Sequence, residues 1–341
     1  KAPFVLGKGA HPCMMEWDGR FYLTWAIRSG NMWSIKYGIY TRHWNEVSTN
    51  VLTVDDGLAY TPLIVVLDQT LYLVIPTRCK AGINLTFMEF ASEIRHNVLV
   101  AEHDIFDIII KQFSNQLFLF TIPRFGSDLV VYAVRNMISR RIGIIPALEG
   151  FFSSQLDFIL LRDHLVALVT VTGSSSGLYS AVLRLDGTFL SFRFLTHEGR
   201  YPHIIRMNNY CLMTWIGDLP LPPSQQIELH LPVPYVEVRD IRIESMAHAT
   251  RVKSQLDLRH LTMYSKGESD SPFPSLCLQD AVWVGLLNDV GQCLKHEGPL
   301  DDNLSVNWDT QFIKSGEEIV LSWLYGEPEV NSGIACRRLY L

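Results

Sequence analysis

A short pattern of apolar and polar positions recurs seven times along this chain. Each repeat opens near a polar residue, often followed by proline, and about ten residues later reaches an apolar segment typical of a strand. These segments are residues 21–25, 71–74, 117–120, 165–168, 210–213, 282–285 and 319–322. Repeats of roughly 40–50 residues are typical of a β-propeller, in which each repeat forms one four-stranded blade. The pattern therefore predicts an all-β fold with seven blades.

The spacing of the repeats is interrupted once. Cys211 and Trp283 are 72 positions apart, whereas earlier anchors of the same kind are 45 to 50 apart. Prolines at positions 220, 222, 223, 232 and 234 open this segment, and they favour loops over central strands. We expect an insertion at about residues 220–266 in blade five of a single domain over residues 1–341. Residues 227–231 and 256–264 would supply the two outer strands of that blade.

The two ends of the chain complement each other in strand number. The last repeat offers three strands, at residues 311–313, 319–325 and 333–341, while residues 4–6 form a spare apolar segment. Because an open sheet edge needs cover, we expect this N-terminal strand to complete the seventh blade and close the ring. A sixfold count, a β-sandwich and a two-domain arrangement remain alternatives.

Composition narrows the kinds of partner. The formal net charge of −6 argues against nucleic acid, whose binders usually carry a basic stripe. No run of about 18 apolar residues occurs, so we expect no membrane span. The six cysteines form no C-x-x-C pair, which argues against a structural zinc site. Those in apolar strands predict buried free thiols, since thiols pack as small apolar groups: Cys13, Cys211, Cys277 and Cys336.

The segment at residues 11–23, His-Pro-Cys-Met-Met-Glu-Trp-Asp-Gly-Arg-Phe-Tyr-Leu, resembles the blade openings of sialidase-like and five-bladed glycosidase propellers. In those families a polar residue near proline begins the innermost strand at the rim of a central funnel. The resemblance implies a ligand site at that rim. The catalytic motifs are not matched: the sialidase Arg-Ile-Pro opening is missing, and His11 stands where the glycosidases place an aspartate.

Aligning the repeats predicts one rim residue for each blade. These are His11, Thr61, Asp107, Gln155, Tyr201, Phe273 and Asp309, with Asp157 and His203 two positions further along their strands. Tyr201 and His203 could stack on or hydrogen-bond a sugar, or could simply pack between blades. Asp107, Asp157 and Asp309 could supply the paired carboxylates of a glycosidase, or could satisfy backbone N–H groups where strands begin.

These features lead us to expect a recognition propeller without catalysis. Its predicted ligand-binding residues are His11, Thr61, Asp107, Tyr201, His203, Phe273 and Asp309. It would bind a glycan or a protein receptor at the funnel and the blade-five insertion, as an attachment protein on an extracellular or virion surface, with oligomerisation left open. No cofactor is predicted, although carboxylates could hold Ca²⁺. The alternatives are a divergent glycoside hydrolase that uses Asp107, Asp157 and Asp309, and a structural assembly scaffold.

Overall fold

The structure is a computed structural model that describes most of the chain. It covers residues 10–29, 32–54, 57–101, 105–123, 128–146, 151–173, 175–207, 210–218, 220–221, 224, 226, 281–300, 307–315, 318–325 and 333–339. Two compact units divide the chain, Lys1–Ile145 and Pro146–Leu341. Each unit holds three antiparallel sheets in its described part, and no α-helix occurs there.

The first unit contains sheets one to three. Sheet one is β1 (Ala10–Trp17), β2 (Arg20–Ser29), β3 (Met32–Thr41) and β4 (Glu46–Val54). Sheet two is β5 (Gly57–Leu58), β6 (Leu63–Leu67), β7 (Thr70–Cys79), β8 (Gly82–Glu89) and β9 (Arg95–Ala101), in which β5 and β6 both pair with β7. Sheet three is β10 (Ile105–Phe113), β11 (Gln116–Pro123), β12 (Leu129–Arg135) and β13 (Ile138–Ile145).

The second unit contains sheets four to six. Sheet four is β14 (Phe151–Leu161), β15 (His164–Thr172), β16 (Gly177–Arg184) and β17 (Phe189–Thr196). Sheet five is β18 (Gly199–Met207), β19 (Tyr210–Gly217), β20 (Val282–Leu287) and β21 (Cys293–Glu297). Sheet six is β22 (Asn307–Ser315), β23 (Glu318–Tyr325) and β24 (Gly333–Leu339). Strands follow one another in chain order within each sheet, which is the topology of a propeller blade. The all-β prediction is confirmed.

The sixth sequence repeat is not the second strand of a blade of its own. Strand β20, which contains it, pairs with β19 as the third strand of sheet five, with Trp283 opposite Trp215 and Gly285 opposite Met213. The assignment was wrong because residues 218–281 separate two strands that are neighbours in one sheet, so spacing along the chain misplaced the second of them. Six sheets form in the described residues, and the predicted seventh blade is not confirmed.

Other parts of the sequence-based fold prediction fall on residues outside the described ranges. Strands β20 and β21 occupy the outer positions of sheet five that were predicted for residues 227–231 and 256–264, and both of those segments lie outside. The last sheet does have three strands, as expected. Residues 4–6 lie outside the described ranges, so closure of the ring, and with it a single domain, stays a prediction.

Burial explains why the strands could be found from the sequence. All seven residues at positions 165–171 of β15 are buried, so both faces of sheet four are covered and the strand appears as a continuous apolar run. The Asp18-Gly19 hairpin turn has positive φ at both residues, 46° and 70°, which is the geometry that such a pair favours. Continuous apolar runs and turn pairs such as Asp18-Gly19 were the basis of the strand prediction.

Two tryptophans fix the point at which the long connection leaves sheet five. Trp215 Nε1 donates to the carbonyl oxygen of Asp218 at 3.0 Å, and Trp283 Nε1 donates to that of Gly217 at 2.8 Å. Their rings stack with centroids 6.4 Å apart. Further along, the buried side chain of Gln226 bonds both the backbone N–H and the carbonyl of Cys293 on β21. Strands that are distant in sequence are thereby held in one sheet.

Replacing Trp215 by alanine should lower the free energy of unfolding by about 3–5 kcal/mol, because a fully buried ring and its hydrogen bond are both lost. Urea denaturation followed by circular dichroism would measure the change. Tyr210→Ala on the same strand is the matched control, since Tyr210 is exposed and its loss should cost within about 0.5 kcal/mol. Equal stability of the two variants would contradict the packing role of Trp215.

The described cysteines, Cys13, Cys79, Cys211 and Cys293, are free thiols, whereas Cys277 and the side chain of Cys336 lie outside the described residues. Of the two described cysteines that were predicted to be buried, Cys211 is buried and Cys13 is only partly buried. Burial raises the pKa of both Cys211 and Cys293 to about 12. Thiolates are therefore scarce at these two positions at neutral pH, and their reactivity should be low.

Maleimide labelling of the native protein at neutral pH should leave Cys211 and Cys293 unmodified, because neither is accessible or ionised. Peptide mass spectrometry would give the extent at each position, and Cys79, which is partly exposed, serves as the internal control. Both buried thiols should react once denaturant unfolds the chain. Rapid modification of Cys293 in the native protein would show that the edge of sheet five opens.

Candidate functional site

The first strand of every described sheet loses register near its beginning. The breaks lie between Ala10 and Cys13, Ile105 and Asp107, Phe152 and Leu156, Arg200 and His203, and Trp308 and Thr310. In sheet two the break separates β5 from β6, at residues 59–62. Such bulges re-aim side chains and are frequent next to active sites. We call these six places the bulge positions and take those of each unit, considered separately, as candidate functional positions.

The residues predicted at the rim coincide with the bulge positions. His11, Thr61, Gln155, Tyr201 and Asp309 lie inside breaks, and the remaining described one, Asp107, directly follows a break. Sequence alignment of the repeats therefore located a real structural feature in each sheet. Phe273 lies outside the described residues, as do the side chains of His11 and Asp309.

In the first unit, an arginine from sheet two holds the bulge of sheet three. Arg78 Nη1 donates to the carbonyl oxygen of Ile105 at 2.6 Å, and its Nη2 donates to that of Phe106. Hydrogen bonds from a charged donor are stronger than neutral ones, so this contact fixes the bulged backbone. The ring of Phe106 is left 52% exposed. The bulge thus presents an aromatic surface on a rigid support.

Asp107, which follows Phe106 in β10, is a carboxyl group that retains its proton to a higher pH than usual. Partial burial raises its pKa, while a hydrogen bond from the Ile108 N–H at 2.8 Å and the charge of Arg78 offset part of the effect. Burial is the larger influence because it removes water from the charged form. A carboxyl group whose pKa is raised can donate its proton to a bound oxygen over a wider pH range than an ordinary aspartate.

In the second unit, Tyr201 joins the first strands of all three sheets. Its N–H donates to Gln155 Oε1 at 3.2 Å, and its carbonyl accepts from Thr310 Oγ1 at 2.9 Å. The φ angle of Tyr201 is 50°, a left-handed conformation that costs a tyrosine on the order of 1–3 kcal/mol. Its ring packs against the cluster that contains Ile216. Of the two roles considered for Tyr201, packing is the one that the structure shows.

Asp157 and His203 form a contact pair beside Tyr201. Asp157 is 4% exposed, and its Oδ1 accepts the Phe158 N–H at 2.9 Å. Its Oδ2 accepts the Ile204 N–H at 3.0 Å and lies 3.0 Å from His203 Nδ1. The His203 side chain is one-third exposed. Asp157, like Asp107, therefore satisfies backbone N–H groups at a strand entrance, as one of the sequence-based alternatives proposed.

Three residues of these contacts were not nominated from the sequence: Arg78, Phe106 and Thr310. Thr310 and Phe106 adjoin the nominated Asp309 and Asp107, so widening each rim position by one residue would have included them. Arg78 gave no such signal, because it lies 27 residues before its partner Ile105 and on another sheet.

Neither a metal centre nor a membrane span is found in the described residues. No group of three or more His, Cys, Asp or Glu side chains lies close enough there to hold a metal ion. Binding of Ca²⁺ stays a prediction, since Asp309 belongs to the set nominated for it and its side chain is outside that part. No helix within the described part of the chain is long and apolar enough to cross a membrane.

Comparison with known proteins gives matches of fold but not of sequence. No protein-family model and no curated protein matches the chain. A solved structure named hydrazine synthase of Kuenenia stuttgartiensis matches with a TM-score of 0.51 and 10% identity, over 95% of this chain and 80% of that one. An exo-β-1,3-galactanase of Phanerochaete chrysosporium has a TM-score of 0.37 at 7% identity, over 61% of this chain and 56% of that one. The GH43_1 enzyme of Xanthomonas citri has a TM-score of 0.36 at 11% identity, over 61% and 80%.

These findings correct the main functional expectation. A recognition propeller without catalysis was expected, whereas the solved structures are named as enzymes, most of them glycoside hydrolases. A specific likeness to sialidases is not shown by these structures. Identities of 7–11% describe the fold alone, so any chemistry has to be argued from this chain's own residues.

Replacing Asp107 by asparagine should stabilise the protein relative to wild type increasingly as pH rises. The pKa of Asp107 is raised in the folded state, so its stabilising contribution is complete below the ordinary value of 3.8 and is lost as pH rises through the folded pKa. Asparagine cannot ionise but can still accept from the Ile108 N–H. Melting temperatures between about pH 4 and 7 would measure the difference.

The Asp289→Asn variant is the matched control for this experiment, because it makes the same chemical change at an exposed position. If wild type instead became more stable relative to Asp107→Asn as pH rose, the carboxyl group would have to be held in its charged form. That outcome would contradict the effect of burial on Asp107.

Proposed function

We propose that this protein is a divergent glycoside hydrolase in which Asp107 acts as the general acid. The observation that carries the proposal is the combination found at the bulge of sheet three. A partly buried carboxyl group with a raised pKa directly follows an exposed aromatic residue, Phe106, on a backbone held by Arg78. Glycosidic bonds break when an acid of raised pKa protonates the leaving oxygen.

The physical logic of this bulge suits a carbohydrate substrate. The apolar face of a pyranose ring can lie on the exposed ring of Phe106, while the neighbouring carboxyl group reaches a hydroxyl or a glycosidic oxygen. Because Arg78 fixes the carbonyl groups of Ile105 and Phe106, little ordering of the protein is needed when a ligand binds. Bulged strands with rigid support meet the requirement that acid and substrate be held in a reactive geometry.

Asp157 is less suited to act as an acid or a nucleophile. It is almost fully buried, and its two oxygens already accept from two backbone N–H groups and face His203. This arrangement suits a carboxylate that positions its neighbours. Asp309 is the second carboxylate that the sequence predicted. Substitution of Asp309 tests directly whether hydrolysis depends on it.

Turnover should be sought with a panel of chromogenic and natural glycosides that covers α and β linkages. Asp107→Asn is expected to lower kcat about 100- to 10,000-fold on natural glycosides, whose leaving groups need protonation. On aryl glycosides with acidic phenol leaving groups the loss should be much smaller, because those leave without a proton. Asp289→Asn, exposed in the β20–β21 turn, is the matched control and should keep full activity.

The dependence on the leaving group separates a general acid from a residue that merely supports the fold. An equal loss on both classes of glycoside would assign Asp107 a structural role. A wild-type protein that hydrolyses no member of the panel would overturn the proposed function itself.

A further inference from the structure

The contacts of His203 with Asp157 define which nitrogen of its imidazole ring carries the hydrogen. Asp157 Oδ2 already accepts the N–H of Ile204 at 3.0 Å, and it lies 3.0 Å from His203 Nδ1. An ionised carboxylate has only acceptor capacity, so the nitrogen that faces it must carry the hydrogen. The pair therefore fixes one tautomer of a neutral imidazole, with hydrogen on Nδ1 and a lone pair on Nε2.

The carboxylate of the pair is buried, whereas the imidazole is partly exposed. The side chain of Asp157 is 5% exposed and that of His203 is 33% exposed. Among the described residues, His203 Nε2 has no hydrogen-bond partner. The strand also fixes the ring, because His203 directly follows the bulge at Tyr201 and pairs with Thr214 on β19. A buried carboxylate thus orients a partly exposed imidazole.

A second His–Asp contact in the chain provides a useful comparison. His164 Nδ1 lies 2.8 Å from Asp163 Oδ1, but there the carboxylate is 70% exposed and the imidazole only 19% exposed. Water competes for an exposed carboxylate, so that pair restricts its imidazole weakly. The two contacts share their chemistry and differ in which partner is buried. Asp163 therefore offers a matched control.

We propose that Asp157 and His203 form a dyad in which Asp157 positions the ring and His203 Nε2 accepts a proton from a bound hydroxyl group. The hydroxyl belongs to a carbohydrate or to a water molecule, and in this respect the inference rests on the proposed function. The proton moves to Nε2 and the electron pair of the O–H bond stays on oxygen. The resulting imidazolium keeps its Nδ1 hydrogen on Asp157, whose charge stabilises it.

The first experiment observes the tautomer and needs no activity. Imidazole-¹⁵N-labelled protein should show His203 with hydrogen on Nδ1, and His203→Gln identifies its signals. In Asp157→Ala the acceptor for the Nδ1 hydrogen is removed, so His203 should shift towards the tautomer with hydrogen on Nε2. Asp163→Ala should leave the His203 signals unchanged. A wild-type His203 with hydrogen on Nε2, or no change in Asp157→Ala, would overturn the dyad.

Diethylpyrocarbonate provides a second measurement, because it modifies an unprotonated imidazole nitrogen. Peptide mass spectrometry should show His203 modified at least several-fold faster in wild type than in Asp157→Ala, with Asp163→Ala equal to wild type. This comparison remains valid if Asp157→Ala is less stable, provided that circular dichroism shows it folded. Equal rates of modification in all three proteins would count against the dyad.

Kinetics then separate this inference from the proposed function. On a glycoside that wild type hydrolyses, His203→Gln should lower kcat about 100-fold or more with little change in KM. Unchanged kcat in that variant would overturn the role of His203 while leaving the hydrolase intact. If wild type hydrolyses nothing, the proposed function fails, and the tautomer and modification rates alone decide whether the dyad exists.

Discussion

Backbone groups at the bulge positions must find hydrogen-bond partners outside their own ladder, and the structure depends on how they do so. A break in register leaves N–H and C=O groups without a partner on the adjacent strand, and buried groups of this kind are rarely left unpaired. Gln155 and Thr310 satisfy Tyr201, Asp157 satisfies Ile204, and Arg78 satisfies Ile105. In each case the partner comes from a neighbouring sheet, so one set of bonds both repairs the bulge and joins two sheets.

This constraint also explains why the polar residues at these places are difficult to interpret. A side chain that repairs the backbone looks, in the sequence, the same as one that contacts a ligand. The structure distinguishes the two kinds of side chain by the hydrogen-bonding capacity that each still has available for a ligand. Asp157 uses both of its oxygens on the protein, whereas His203 keeps an unpartnered Nε2 within the described residues, and Asp107 follows the exposed Phe106 in the chain.

Side chains also bond the backbone in sheet five, where a long connection separates two neighbouring strands. Stacked Trp215 and Trp283 each use their indole N–H to hold the departing backbone, and the side-chain amide of Gln226 pairs with the backbone of Cys293 on the outermost strand. Side chains here replace the pairing that a continuous hairpin would have supplied. Sheet five therefore keeps chain order despite the 64 residues that separate two of its strands.

The sequence by itself predicted most of the strands and turns and one polar or aromatic residue for each rim position, but not the breaks in register. Its apolar runs are continuous because many strands are covered on both faces, and its polar rim residues recur because each first strand bulges at one place. Tertiary structure alone decided that the repeat at residues 282–285 belongs to sheet five, and that Arg78 and Thr310 serve bulges on neighbouring sheets. Such pairings join residues far apart in the chain, and spacing along a sequence carries no record of which distant strand becomes a neighbour.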